Sequence, residues 1–99
     1  MIVTVRLPRA LVEHSGGLGS LNVEVPEGST LVEIVAVIAE RHPAVGRRIV
    51  DESGRQRRHV NIYVGNEECR RLEGLQTVVP PDAEIFVIGS IAGGCTQVP

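Results

Sequence analysis

One segment of this 99-residue chain carries clear helix-period apolar spacing, and segments whose apolar residues alternate with period two lie on both sides of it. That order restricts the possible folds more than any other feature. Val3, Val5 and Leu7 share one face of an opening strand, with Thr4 and Arg6 opposite. After the glycine-rich stretch from Ser15 to Ser20, Leu21, Val23 and Val25 repeat the alternation, and Pro26-Glu27-Gly28 ends it. These two strands are expected to pair as a hairpin. Thr30 and Glu33 have capping-box spacing, and Leu31, Ile34, Val35 and Ile38 fall on one side of a helix that His42-Pro43 stops. A short helical turn is expected near Val45 to Val50, then a charged, solvated and mobile loop over Asp51 to Arg58. Val60, Ile62 and Val64 form a third inward set, Gly65-Asn66 turns into a short strand near Cys69 to Leu72, and Ile85 and Val87 form the last inward set.

Strand, strand, helix and then more strands predict an α+β fold of the β-grasp type: a roll whose mixed four- to five-stranded sheet has one main helix across one face. The first and last strands should lie side by side at its centre. A hydrophobic content of 42% over 99 residues accommodates one core. The domain is read as residues 1–92, followed by a flexible C-terminal thread over 93–99. The opening segment lacks the apolar run of a signal peptide and no stretch has transmembrane length, so the expected location is cytoplasmic, without membrane binding.

Charge and chemistry narrow the function classes further. The net charge of -2 offers no reason to bind nucleic acid. All ten basic residues are arginine, so the chain has no ε-amine for a Schiff base or an isopeptide bond. The arginines between Arg41 and Arg58 read first as a solvated face, with a surface for an acidic partner as the alternative. Cys69 and Cys95 are too few for a disulfide framework or an iron–sulfur cluster, which sets aside a ferredoxin of related topology. His14, His42 and His59 lack metal-ligand spacing, and the acidic pairs Glu67-Glu68 and Asp51-Glu52 read as solvation. No catalytic constellation, metal site or bound cofactor is expected.

What stands out is Gly93-Gly94, through its position rather than its composition, since Gly16-Gly17 is a second such pair. It follows the last core strand, where a carbonyl without a neighbouring Cβ could enter a narrow active site and be attacked. Activation by ATP needs a free carboxylate, whereas the Gly94 carbonyl is in an amide with Cys95. The chain therefore reads as a precursor to be cut between Gly94 and Cys95. Cys95 has two readings: a thiol that takes the acyl group as a thioester, or the first discarded residue; a Cys95→Ser variant separates them. Cys69, with no histidine obviously beside it, reads as a packed or half-exposed strand residue rather than a nucleophile. Phe86 and Ile88 point outward by the alternation that sends Ile85 and Val87 inward, and with Tyr63, Ile91 and Ala92 they form a candidate partner-binding strip. The strip serves either a docking partner or a second copy of the chain.

The order of elements, the strand His59-Val60-Asn61-Ile62-Tyr63-Val64, the turn Asn66-Glu67-Glu68, Gly74-Leu75-Gln76-Thr77 before the last strand, and the ending Ala92-Gly93-Gly94 together resemble the ubiquitin-like sulfur-carrier family of ThiS/MoaD type. Leu7-Pro8 and Ser15-Gly16-Gly17 are similar to its cysteine-biosynthesis branch. The resemblance implies a non-catalytic protein cosubstrate. An E1-like enzyme would use ATP to adenylate Gly94, sulfur would replace AMP to give a thiocarboxylate, and a cysteine-synthase-like enzyme would consume it. Phe86, Ile88 and Tyr63 would meet the activating enzyme. Mature carriers end on the second glycine, so the resemblance also implies removal of Cys95 to Pro99 by a zinc-dependent, deubiquitinase-like peptidase. Carriage of sulfur for molybdopterin, thiamine or a sulfur-containing natural product is the alternative within this chemistry. A β-grasp interaction module with an idle Gly-Gly is the alternative outside it.

Overall fold

Strand β1 (Ile2–Arg6) buries Val3 and Val5 and turns Thr4 and Arg6 to the other face, as the period-two pattern dictates. It belongs to the computed structural model of the chain, which describes residues 1–89. Strand β2 (Ser20–Glu24) pairs with β1 antiparallel, Val3 opposite Val23 and Val5 opposite Leu21. Their connection is no tight hairpin loop. It holds a short helix α1 (Arg9–Val12) and a 3-10 turn (Glu13–Ser15), which the sequence pattern did not disclose. Leu11 plugs the core from α1, and the Ser15 hydroxyl closes the turn: it lies within hydrogen-bonding distance of the Val12 and Leu18 carbonyls and accepts from the Leu18 N–H.

Helix α2 (Leu31–Arg41) forms where the apolar spacing requires, with Leu31, Ile34, Val35 and Ile38 buried. Its start is fixed by Glu33, whose carboxylate accepts from the Thr30 N–H at 2.8 Å and the Thr30 hydroxyl at 3.2 Å. Its end is set at His42, because the residue before a proline is excluded from the helical region. Pro43 then occupies the first turn of α3 (Pro43–Ile49), where its missing N–H costs nothing. The two helices meet backbone to backbone: a Cβ at Gly46 would lie 2.5 Å from the Ala39 Cβ and 2.7 Å from its Cα.

The segment after α3 is tied down by its own hydrogen bonds. Asp51 Oδ1 accepts from the Ser53 N–H, the Ser53 hydroxyl and the Arg55 N–H, and Val50 bridges Gln56. Strand β3 (Val60–Val64) follows, with Val60 and Ile62 buried and Val64 only half-buried. Gly65, at φ +64, makes the turn into β4 (Glu67–Glu68). The short strand thus precedes the expected Cys69 to Leu72 segment, whose Cys69–Arg71 portion is instead a 3-10 turn. The physical reason is Cys69: burying its side chain requires the chain to leave the sheet edge and curl inward.

Strand β5 (Glu84–Gly89) completes a five-stranded mixed sheet of order β2-β1-β5-β3-β4. β5 runs parallel to β1 and antiparallel to β3, so first and last strands are central neighbours as expected. Helix α2 supplies its buried side chains to the same core as the inward residues of the strands, and this is the β-grasp arrangement. That core is aliphatic apart from Cys69.

Candidate functional site

β5 is held on both sides by neighbouring strands and ends at Gly89, opposite Val60 at the start of β3. It is the strand from which the segment containing Gly93 and Gly94 departs in sequence. Ile91, Ala92, Gly93, Gly94 and Cys95, all named from the sequence as terminus, cleavage or partner-binding residues, lie outside the described residues, as does the division at residue 92.

The remaining three candidates are brought together. Tyr63 stands opposite Phe86, and Ile88 lies opposite Asn61 on the same face of the sheet. Tyr63 and Phe86 are half-buried, and Ile88 is 47% exposed. The row across the sheet runs Ser20, Arg6, Phe86, Tyr63, Glu68. Direct opposition places side chains about 5 Å apart at Cβ, close enough for two aromatic side chains to contact. Arg6 reaches diagonally from β1 to pair with Glu84 on β5, and Glu68 takes a hydrogen bond from Arg70 at 3.1 Å. Exposed ion pairs of this kind contribute at most about 1 kcal/mol. Their effect here is to place charge at the border of an apolar centre, the arrangement of a recognition surface.

Arg70 does more than border this face. Its guanidinium also donates to Asn61 Oδ1 at 2.8 Å and to the carbonyls of Arg57 and Val60 at 3.0 Å each. It thereby fastens the segment entering β3 to the turn after β4. Nothing in the local pattern marks Arg70 for this, since its partners lie around ten residues away in sequence.

Cys69 is fully buried and its thiol donates to Gln56 Oε1 at 3.3 Å. Burial pushes its pKa up, the Glu68 carboxylate adds to the rise, and Arg70 opposes it. The thiolate is disfavoured, so Cys69 is a packing residue and a poor nucleophile. It sits in a turn rather than the strand expected for it. No three His, Cys, Asp or Glu side chains are grouped to hold a metal ion among the described residues. Nor is any helix among them long and apolar enough to cross a membrane. What the geometry offers is a binding face beside an outgoing strand.

Sequence and structure comparisons follow the same line. The model of the ThiS family matches residues 5–94. The sulfur carrier protein CysO of Mycobacterium tuberculosis is 32% identical over 96 residues, spanning 95% of this chain and all of the relative. Among solved structures, a chain of the Amycolatopsis orientalis BexX/CysO complex superposes with a TM-score of 0.81 at 33% identity, covering 93% of this chain and 99% of the other. Small archaeal modifier protein SAMP1 of Haloferax volcanii shares the fold, with a TM-score of 0.80 at 20% identity over 95% of this chain and all of that one.

Proposed function

This chain belongs to the ThiS family, and from that premise we propose that it is a sulfur carrier that works by presenting Gly94 to other enzymes. It is a carrier of the CysO type, a protein cosubstrate rather than an enzyme. In the proposed cycle a zinc-dependent, deubiquitinase-like peptidase cuts between Gly94 and Cys95. At an E1-like partner the freed Gly94 carboxylate then attacks the α-phosphate of ATP, pyrophosphate leaves, and a sulfur donor displaces AMP from the acyl-adenylate to leave the thiocarboxylate. A cysteine-synthase-like enzyme of the cytoplasm takes the sulfur. Cleavage of the Gly94-Cys95 amide and displacement of AMP are both acyl substitutions at an unhindered glycine carbonyl, which require of this chain a reachable end and a firm grip on the rest of the domain.

The observation that carries this reading is the position of β5. Its neighbours on either side, β1 and β3, anchor the strand immediately before Gly93-Gly94, while Phe86 and Ile88 on that strand and Tyr63 beside it face outward. A partner that docks on this face is thereby placed at the base of the segment it must process. The 32% identity to CysO favours cysteine biosynthesis over molybdopterin or thiamine as the destination of the sulfur.

Intact-protein mass spectrometry tests the cycle. Chain truncated at Gly94 is incubated with ATP, an activating enzyme from the same genome and sulfide. A mass gain equal to replacement of one oxygen by sulfur is expected, and none for the chain extending to Pro99. No gain from an enzyme active on its own carrier overturns the proposal in favour of a β-grasp interaction module.

A further inference from the structure

At the end of the sheet where β5 finishes, two depressions share a wall. One, of about 270 Å³, is lined by Pro8, Leu11, Val60, Val87 and Gly89. The other, of about 360 Å³, is lined by Arg47, Arg48, Arg57 and His59. Arg48 and His59 line both, so an apolar hollow opens directly onto a cluster of cationic and imidazole side chains.

We propose that this two-part cleft docks an acidic peptide segment of a partner protein, seating one apolar side chain among Pro8, Leu11, Val60 and Val87 and the flanking carboxylates on Arg48 and Arg57. The cleft alone argues the site; that the partner is an enzyme handling the terminus rests on the carrier reading above.

The charge argument is specific. Among the described residues the ion pairs are Arg6 with Glu84 and Arg70 with Glu68, so Arg47, Arg48 and Arg57 have none. Arg57 spends its Nε on the Arg47 carbonyl at 2.7 Å, which positions the guanidinium without neutralising it. Asp51 and Glu52 share a neighbouring depression with Arg47 and Arg57, and Asp51 feels the charge of Arg57, but among the described residues neither carboxylate is within ion-pairing distance of these arginines. A row of guanidinium groups with free N–H donors matches carboxylates, which they bind in bidentate fashion.

The apolar half selects a peptide. A phosphate group alone would leave the hollow empty. A single-stranded nucleic acid would seek large aromatic platforms, and no phenylalanine, tyrosine or tryptophan lines either depression. A leucine-like side chain between carboxylates satisfies both halves together. Continuity supplies the third argument: Gly89 lines the hollow and is the last residue of the strand that leads toward Gly94. A protein that grips the terminus therefore covers this end of the domain. Since Val60 and Val87 point to the core side of the sheet, the cleft is a second contact, separate from the face of Tyr63 and Phe86.

The test is an NMR titration of the full chain with a synthetic peptide carrying one leucine between pairs of glutamates. No enzyme or ATP is present, so the result is independent of whether Gly94 takes up sulfur. Amide shifts confined to Leu11, Arg48, His59, Val60 and Gly89 are expected. Arg48→Glu and, separately, Ala10→Glu at the exposed rim should each weaken binding about tenfold or more with an otherwise unchanged spectrum. Absence of shifts at those amides up to about 1 mM peptide overturns the proposal. So does equal binding by a peptide with serine in place of leucine, or tighter binding by an oligonucleotide of equal charge.

Discussion

Tyr63 of β3 stands directly opposite Phe86 of β5, and the chain's only tyrosine thereby meets its only phenylalanine on the face of the sheet away from the helix-covered core. With no tryptophan in the chain, the two benzene-type rings it has both lie on the outward face of the sheet. Rings of this size are ordinarily drawn into a core, where each would bury 150–250 Å² or so of surface. Here the interior is filled by valine, isoleucine and leucine instead. Function is the natural account of that distribution, because aromatic anchors dominate binding energy at protein interfaces.

Phe86→Ala is accordingly expected to raise the KM for the activating enzyme about tenfold or more while leaving the domain folded. The loss of the cross-strand pair should lower stability by about 0.5–1 kcal/mol. Steady-state AMP release, run beside urea unfolding, separates the two effects. A stability loss with unchanged KM would remove Phe86 from the docking face.

Gly46→Ala sets two effects against each other. Alanine is the better helix former by about 1 kcal/mol, but its Cβ would sit 2.5 Å from the Ala39 Cβ and 2.7 Å from the Ala39 Cα. Backbone cannot rotate away as a side chain can, and overpacking of this kind costs about 1–3 kcal/mol. The clash should win, giving a lower urea midpoint. Adding Ala39→Gly removes only the Cβ contact, so rescue should be partial.

Cys69 should behave as a reporter of opening. In a Cys95→Ser chain it is the one thiol left. Burial both shields it and raises its pKa. Alkylation at neutral pH should therefore be slow in buffer and accelerate with urea in step with unfolding. Rapid labelling of the folded chain would contradict its burial.

Asp51 gives the chain a pH-sensitive turn. Hydrogen bonds from Ser53 and Arg55 hold its carboxyl below the usual carboxylate range, with Arg57 assisting. A depressed folded value means that the stabilisation is complete above the unfolded pKa and disappears as pH falls through the folded one. Asp51→Asn should thus be less stable than the natural chain at neutral pH, and the gap should close in acid. Urea midpoints measured from neutral pH downward check the convergence.

Much of this molecule was legible before any coordinates. The alternation in β1, β2 and β5 and the spacing of Leu31, Ile34, Val35 and Ile38 predict which side chains are buried, because burial on a sheet or helix repeats with the geometry of the backbone itself. Thr30 with Glu33 and His42 with Pro43 mark the ends of α2 through bonds and sterics confined to a few residues. The same locality shows Phe86 and Ile88 facing outward. Where expectation and structure part, the cause is contact between distant segments. Cys69 lies in a turn with its side chain buried in the core against Gln56, thirteen residues away, and α1 forms in a stretch whose apolar pattern is too short to announce it.

Local order alone therefore determined the main strands, helix α2 and the outward facing of Phe86 and Ile88, and through the order of those elements the β-grasp class, since each depends on neighbours a few residues apart. Tertiary structure decided the rest. Only strand pairing could set Tyr63 against Phe86, only the crossing of α2 and α3 could make Gly46 indispensable, and only the folding of α1, α3, β3 and β5 to one end of the sheet could bring Leu11, Arg48, His59 and Gly89 around one cleft. These are meetings between residues far apart in the chain, and no periodicity encodes them.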